Sequence, residues 1–136
     1  MDNVIEQLIA AMNRHDAAAV AASFASDYRS EQPLHPNRGF GGSAQVLANW
    51  TSVFEGVPNF SAELISSASS EGTVWAEMRW WGAYRDGSPF QMRGVALLGV
   101  REDKIVWARL YMEPVEQGGS DIEGAVQELY RPSSDS

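Results

Sequence analysis

TVWAEMRWWGAYRDGSPFQMRGVALLGVREDKIVWARLYMEP, residues 73–114, decides the fold of this chain. Apolar and polar residues alternate here with a period of two, which is typical of β-strands. Turn-forming residues at 85–89 and 102–103 divide the stretch into strands predicted at 73–85, 90–101 and 104–114. A further strand is predicted at 60–70, before the turn at 70–72. Connections this short join antiparallel neighbours, so the sequence predicts an antiparallel sheet.

The N-terminal half has helical spacing instead. Helices are predicted over Asn3–Arg14, over Ala17–Ala25 behind the N-cap residue Asp16, and over Ala44–Glu55, with a short strand over 26–32. Because helices and strands are segregated along the chain, the fold class is α+β. We expect a cone-shaped, strongly curved antiparallel sheet wrapped around the N-terminal helices, enclosing an apolar pocket.

One domain over residues 1–116 accounts for these elements, followed by a tail over 117–136. Asp121 can cap a short helix over Ile122–Tyr130 in this tail. The last six residues, RPSSDS, are expected to be disordered.

Composition excludes several functional classes. The net charge of −8 argues against binding to nucleic acids or anionic membranes, and no apolar run approaches the roughly 20 residues that span a bilayer. The chain has no cysteine, and its two histidines are far apart, so no metal site is predicted. We expect a cytoplasmic protein that uses no cofactor and binds a small, apolar organic ligand.

The strand over 73–85 carries the first candidate site. Trp75, Glu77, Arg79 and Trp81 share one face, because alternate residues of a strand point the same way. A charge pair between tryptophans is typical of a pocket wall, with Glu77 as catalytic acid or base and Arg79 orienting it. The alternative is that Glu77 and Arg79 form a structural or interface ion pair.

Other candidates lie around the expected pocket. Glu31 and His35 would act at its rim as catalytic partners, although a solvated charge and an uninvolved loop histidine are the alternatives. Besides Trp75 and Trp81, the residues expected to contact the ligand are Trp50, Met92 and Leu110, with a purely structural place in the core as the alternative for Trp50. The last strand places Leu110 on its apolar face, which we expect inside. Its other face carries a second candidate set, Arg109, Tyr111 and Glu113.

Four short segments carry a resemblance to a known family. They are His15-Asp16-Ala17, Phe24-Ala25-Ser26-Asp27, Glu102-Asp103-Lys104-Ile105 and Tyr111-Met112-Glu113. With their spacing, residues 3–115 resemble the SnoaL-like branch of the nuclear transport factor 2-like superfamily. The resemblance implies a cystatin-like α+β barrel. It is compatible with cyclases, epoxide hydrolases, isomerases, dehydratases and binding proteins, because one fold hosts many chemistries.

Catalytic positions of two enzymes in this superfamily are only partly matched. Limonene epoxide hydrolase places an Arg and an Asp on a central strand, where this chain has Glu77 and Arg79, with the charges exchanged. Leu110 stands where that enzyme has a second Asp. Ketosteroid isomerase has an Asp base where this chain has Gln32. The resemblance implies an acid–base enzyme acting on a small, apolar substrate, or alternatively a ligand-binding, dimerisation or accessory protein.

The strands are apolar on both faces, which calls for two packing partners. The N-terminal helices would cover the concave side of the sheet. A second copy of the chain would cover the convex side, so the sequence predicts a homodimer.

Overall fold

The computed structural model describes residues 3–130, which form four α-helices and six β-strands. Element bounds agree closely with the predictions from periodicity. In chain order they are α1 Asn3–Asn13, α2 Ala17–Ala22, β1 Phe24–Glu31, a 3-10 turn Pro36–Arg38, β2 Phe40–Gly41, α3 Ser43–Gly56, β3 Ser61–Ser70, β4 Thr73–Ala83, β5 Pro89–Arg101, β6 Lys104–Pro114 and α4 Ile122–Tyr130.

The strands form one sheet in the order β2-β1-β6-β5-β4-β3. Strands β3 to β6 are consecutive antiparallel hairpins, as predicted. Strand β1, in contrast, pairs in parallel with β6, so the sheet is not wholly antiparallel. This pairing also explains why α2 is shorter than predicted: Phe24 already lies in register with Ile105, and the chain must leave the helix before it.

The sheet curves strongly, and two glycines permit the curvature. A Cβ atom on Gly94 would overlap the backbone carbonyl of Tyr111, and one on Gly99 would overlap the indole ring of Trp107. Register shifts in β3 and between Gly99 and Val100 interrupt the ladders, and such bulges bend a strand. The curvature therefore depends on backbone approaches that only glycine allows.

Helices α1, α2 and α3 pack on the concave face of the sheet. The apolar stripe of α1, which includes Ile5, Leu8 and Met12, is almost completely buried. Asn13 fixes the end of α1 to β3, because its side chain both donates to the carbonyl of Ala62 and accepts from the amide of Ala62. The Asp16 side chain caps α2 as predicted, accepting the Ala19 amide at 3.0 Å.

Helix α4 begins where the sequence predicts, and the Asp121 carboxylate accepts the Gly124 amide of its first turn at 2.9 Å. The expected disorder of RPSSDS falls on residues 131–136, outside the described residues. Across residues 3–130, each helix is too short or too polar to cross a membrane.

Candidate functional site

A cavity of about 190 Å³ lies between the helices and the concave face of the sheet. Helices α1 and α3 close one side of it, and residues of the five strands β1, β2, β4, β5 and β6 form the other. Most of its lining is apolar: Leu8, Met12, Phe24, Phe40, Val46, Trp50, Val53, Met78, Ala96, Leu98, Ala108 and Leu110. A pocket with such a wall favours an apolar occupant.

Five further lining side chains are polar or, in the case of Trp80, bury an unpaired polar atom: Tyr28, Ser30, Gln32, Asn49 and Trp80. All are uncharged at neutral pH when tyrosine keeps its proton. Within residues 3–130, no Asp, Glu, His, Lys or Arg is among the residues that line the cavity. The cavity wall therefore offers hydrogen bonds without a carboxylate or imidazole base.

Tyr28 is the one titratable group among the described residues of the cavity wall. It is 2 % exposed, and the rings of Phe24 and Phe40 meet its ring edge-on at centroid distances of 4.6 and 5.9 Å. Burial raises the pKa of Tyr28 to about 12, and the nearby Ser30 hydroxyl offsets a small part of that effect. The surroundings of this phenol thus disfavour negative charge.

Two polar atoms at the cavity are buried without a partner in the described part of the chain: Ser30 Oγ and Trp80 Nε1. The Ser30 hydroxyl lies near the Tyr28 phenol, but the two do not meet with the geometry of a hydrogen bond. Trp80 is held by aromatic neighbours, with the rings of Trp50 and Phe60 at 5.3 and 5.9 Å. Buried donors are normally paired, so both atoms call for an explanation.

The tetrad Trp75, Glu77, Arg79 and Trp81 does not line the cavity, contrary to expectation. The inward face of β4 consists of Val74, Ala76, Met78 and Trp80, whereas Trp75 is 41 % exposed on the outer face. The reason is physical: the even-numbered set has no charge to desolvate, and the odd-numbered set has two.

Glu77 and Arg79 also do not form the expected pair with each other. Arg79 Nε donates to Glu63 Oε1 at 2.6 Å and its guanidinium lies 4.1 Å from the centre of the Trp81 ring. Glu77 Oε2 lies 3.5 Å from Nη2 of Arg93. Both are cross-strand contacts on the outer surface, so the structure also differs from the alternative of an ion pair between Glu77 and Arg79.

The fold brings together two candidates from different sets, His35 and Glu113, although they are 78 residues apart in sequence. His35 Nε2 lies 3.0 Å from Glu113 Oε2, with each side chain about one-third exposed. This pair ties the loop after β1 to the end of β6. Neither residue lines the cavity.

Three further candidates lie on the outer face. Glu31 is exposed there, in register with Arg109 of β6. The guanidinium of Arg109 lies 4.9 Å from the centre of the Trp107 ring, and Tyr111 is half-buried on the same face. Glu31 therefore lies on the outer face and not at the cavity rim, where we expected it to act.

The structure places some, but not all, of the expected ligand contacts in the cavity wall. Trp50 and Leu110 line the cavity, as expected from the apolar face of the last strand. Met92 points to the concave side but packs against the core and is not among the lining residues. Sequence reasoning missed Tyr28, Ser30 and Trp80. The signal was present, since each belongs to the uncharged set of an alternating strand.

Within residues 3–130, no three carboxylate, histidine or cysteine side chains are grouped as a metal would require.

The side chain of Gln32 already accepts a hydrogen bond from Arg38 Nη1 at 3.2 Å. The cavity is thus an apolar chamber with a few neutral polar groups.

Comparison with protein families gives one match: residues 5–108 match the family described as SnoaL-like domain. No protein of established annotation matches the chain in sequence. The family match covers both N-terminal helices, the cavity lining up to Ala108 and most of the sheet.

Solved structures share the fold at low sequence identity. An LEH-like epoxide hydrolase of M. tuberculosis is 15% identical with a TM-score of 0.70, covering 82% of this chain and 80% of its own. IdmH, a putative polyketide cyclase from Streptomyces antibioticus, is 17% identical with a TM-score of 0.70, covering 82% and 91%. A cystatin fold protein from Novosphingobium aromaticivorans is 20% identical with a TM-score of 0.65, covering 79% and 93%. These likenesses establish the fold alone.

Proposed function

The chain belongs to the SnoaL-like domain family, and from that premise we propose that it binds a small, largely apolar organic molecule in the cavity between its helices and sheet. The supporting observation is the wall itself: twelve apolar side chains with five neutral polar ones. Apolar surface removed from water supplies the binding free energy, and the polar groups set the orientation.

The size of the cavity limits the ligand. Its volume of about 190 Å³ is somewhat larger than the ~150 Å³ apolar cavity that accepts benzene in an engineered protein. A molecule with one or two rings fits this space. We propose tetralin, a bicyclic hydrocarbon, as the first probe, because it tests the apolar wall without any polar group.

Calorimetric titration with tetralin tests the proposal. We expect saturable binding to the wild-type protein and its loss in Ala96→Phe, because Ala96 is fully buried in the cavity wall. Ala68→Phe is the matched control on the exposed outer side of β3. Leu110→Trp blocks the cavity from a half-buried position and guards against misfolding of the first variant. Equal binding by all four proteins would place the ligand elsewhere and refute the proposal.

Acid–base catalysis in the cavity is the second candidate function, favoured by the Tyr28 phenol in its wall. The chemistry would be a cyclisation or isomerisation that hydrogen bonds to a carbonyl promote. Deuterium exchange next to the carbonyl of α-tetralone, followed by mass spectrometry, separates the two functions. Faster exchange with wild type than with Tyr28→Phe supports catalysis, and equal exchange supports binding alone.

We also propose that a second copy of the chain covers the outer face of the sheet. This face exposes Trp75 and carries charges that pair across strands, as Arg79 does with Glu63 and Arg93 does with Glu77. These pairs offset each other's charge, although the chain carries −8. Two such faces attract through apolar contact without net repulsion.

Light scattering after size exclusion tests the dimer. Trp75→Glu puts a charge at the exposed tryptophan of this face and should give a monomer. Leu34→Glu, at a site that is 63 % exposed on the loop after β1, is the control and should leave the dimer intact. A monomeric wild-type protein would refute this part of the proposal.

A further inference from the structure

The indole nitrogen of Trp80 is a donor with no acceptor. It is buried at the cavity wall, and no described residue accepts from it. An indole N–H can only donate, so rotation cannot turn it into an acceptor. Trp50 and Phe60 pack around the ring and restrict its reorientation.

The missing acceptor must be electrically neutral. Among the described residues, no cationic side chain lines the cavity to balance an anionic ligand. The phenol of Tyr28 keeps its proton there because burial raises its pKa to about 12. Loss of hydration would also disfavour a carboxylate in this space. A neutral carbonyl oxygen loses far less hydration free energy and can accept the hydrogen bond.

We propose that the cavity selects ligands with a neutral carbonyl oxygen, which accepts a hydrogen bond from Trp80 Nε1. This inference rests on the proposed binding function and adds the chemical class of the ligand. Ser30 Oγ, the other unpaired group, lies on β1, and two strands separate β1 from β4 in the sheet. A hydroxyl can rotate and can either donate or accept a hydrogen bond. Ser30 therefore restricts the chemistry of the ligand less than Trp80 does.

The test compares three probes of similar size: tetralin, α-tetralone and α-naphthoate. For the wild-type protein we expect α-tetralone to bind about tenfold more tightly than tetralin, which is what one hydrogen bond to an otherwise unpaired donor supplies. We expect α-naphthoate to bind more weakly than either. Tighter binding of the naphthoate would overturn the inference.

Trp80→Phe keeps an aromatic ring but removes the donor. We expect it to lose the preference for α-tetralone over tetralin, and the readout is the ratio of the two affinities measured on this variant. Trp81→Phe is the matched control, because Trp81 is the next residue and points to the outer face; it should keep the preference. If Ser30→Ala, and not Trp80→Phe, abolishes the preference, the donor is wrongly assigned.

Amide and indole NMR spectra of the wild-type protein keep the inference testable if Trp80→Phe does not fold. The Trp80 indole proton should move downfield with α-tetralone and not with tetralin. An unmoved indole signal, or equal affinity for the two probes, refutes the carbonyl preference while the binding function stands. If no probe binds, the binding function fails first.

Discussion

Raising the pH above 10 should destabilise the protein through Tyr28. The pKa of this phenol is raised from 10.0 to about 12 in the folded state, so folding favours the protonated form. Its contribution is fully present below the unfolded pKa and is lost as the pH rises through the folded one. Two pKa units correspond to about 3 kcal/mol, of which about 2 kcal/mol is lost by pH ~12.

Urea unfolding at a series of pH values from about 8 to about 12 measures this loss. The free energy of unfolding of Tyr28→Phe is subtracted from that of wild type at each pH, which cancels the groups common to both. The difference should be constant to pH ~10 and then fall by about 2 kcal/mol. Tyr84→Phe, at a 46 % exposed tyrosine, is the control and should show no such fall.

A constant difference between wild type and Tyr28→Phe over the whole series would refute the reasoning. It would mean that the phenol ionises in the folded protein as readily as in the unfolded chain. The cavity would then tolerate an anion, and the argument for a neutral ligand would lose its electrostatic support.

Three further changes test the fold and the site. Gly94→Ala should lower the melting temperature far more than Gly56→Ala, because only the first new methyl meets backbone; calorimetry gives both values. Ile105→Ala should cost about 2–5 kcal/mol in urea unfolding, since Ile105 is fully buried; a smaller loss would place it outside the core. Glu77→Gln should leave tetralin affinity within about twofold of wild type by calorimetry, and a larger loss would contradict its outer position.

Local signals predicted the secondary structure well because each one acts over a few residues. The turn at Gly87 and the cap at Asp16 are determined by neighbours in sequence. The parallel pairing of β1 with β6 was not predictable in this way. It joins Phe24 to Ile105, and no turn or spacing rule links residues so far apart.

The candidate site was harder to predict, for two different reasons. The inward face of β4 was readable from charge, since burial of Glu77 and Arg79 costs more than burial of Met78. The chemically reactive side chains Glu77 and Arg79 pointed instead to the odd-numbered face, which is the outer one. The contact between His35 and Glu113, in contrast, depends on the path of a loop, which local patterns do not specify.

The glycines that bend the sheet are different residues from those that line the cavity. Gly94 and Gly99 set the shape of the chamber through contacts with β6, yet neither lines it. The ligand preference of the cavity depends on other residues, such as Tyr28 and Trp80. Substitutions of residues in the cavity wall can therefore change the ligand while Gly94 and Gly99 keep the sheet curved. This holds for divergence in evolution and for protein engineering alike.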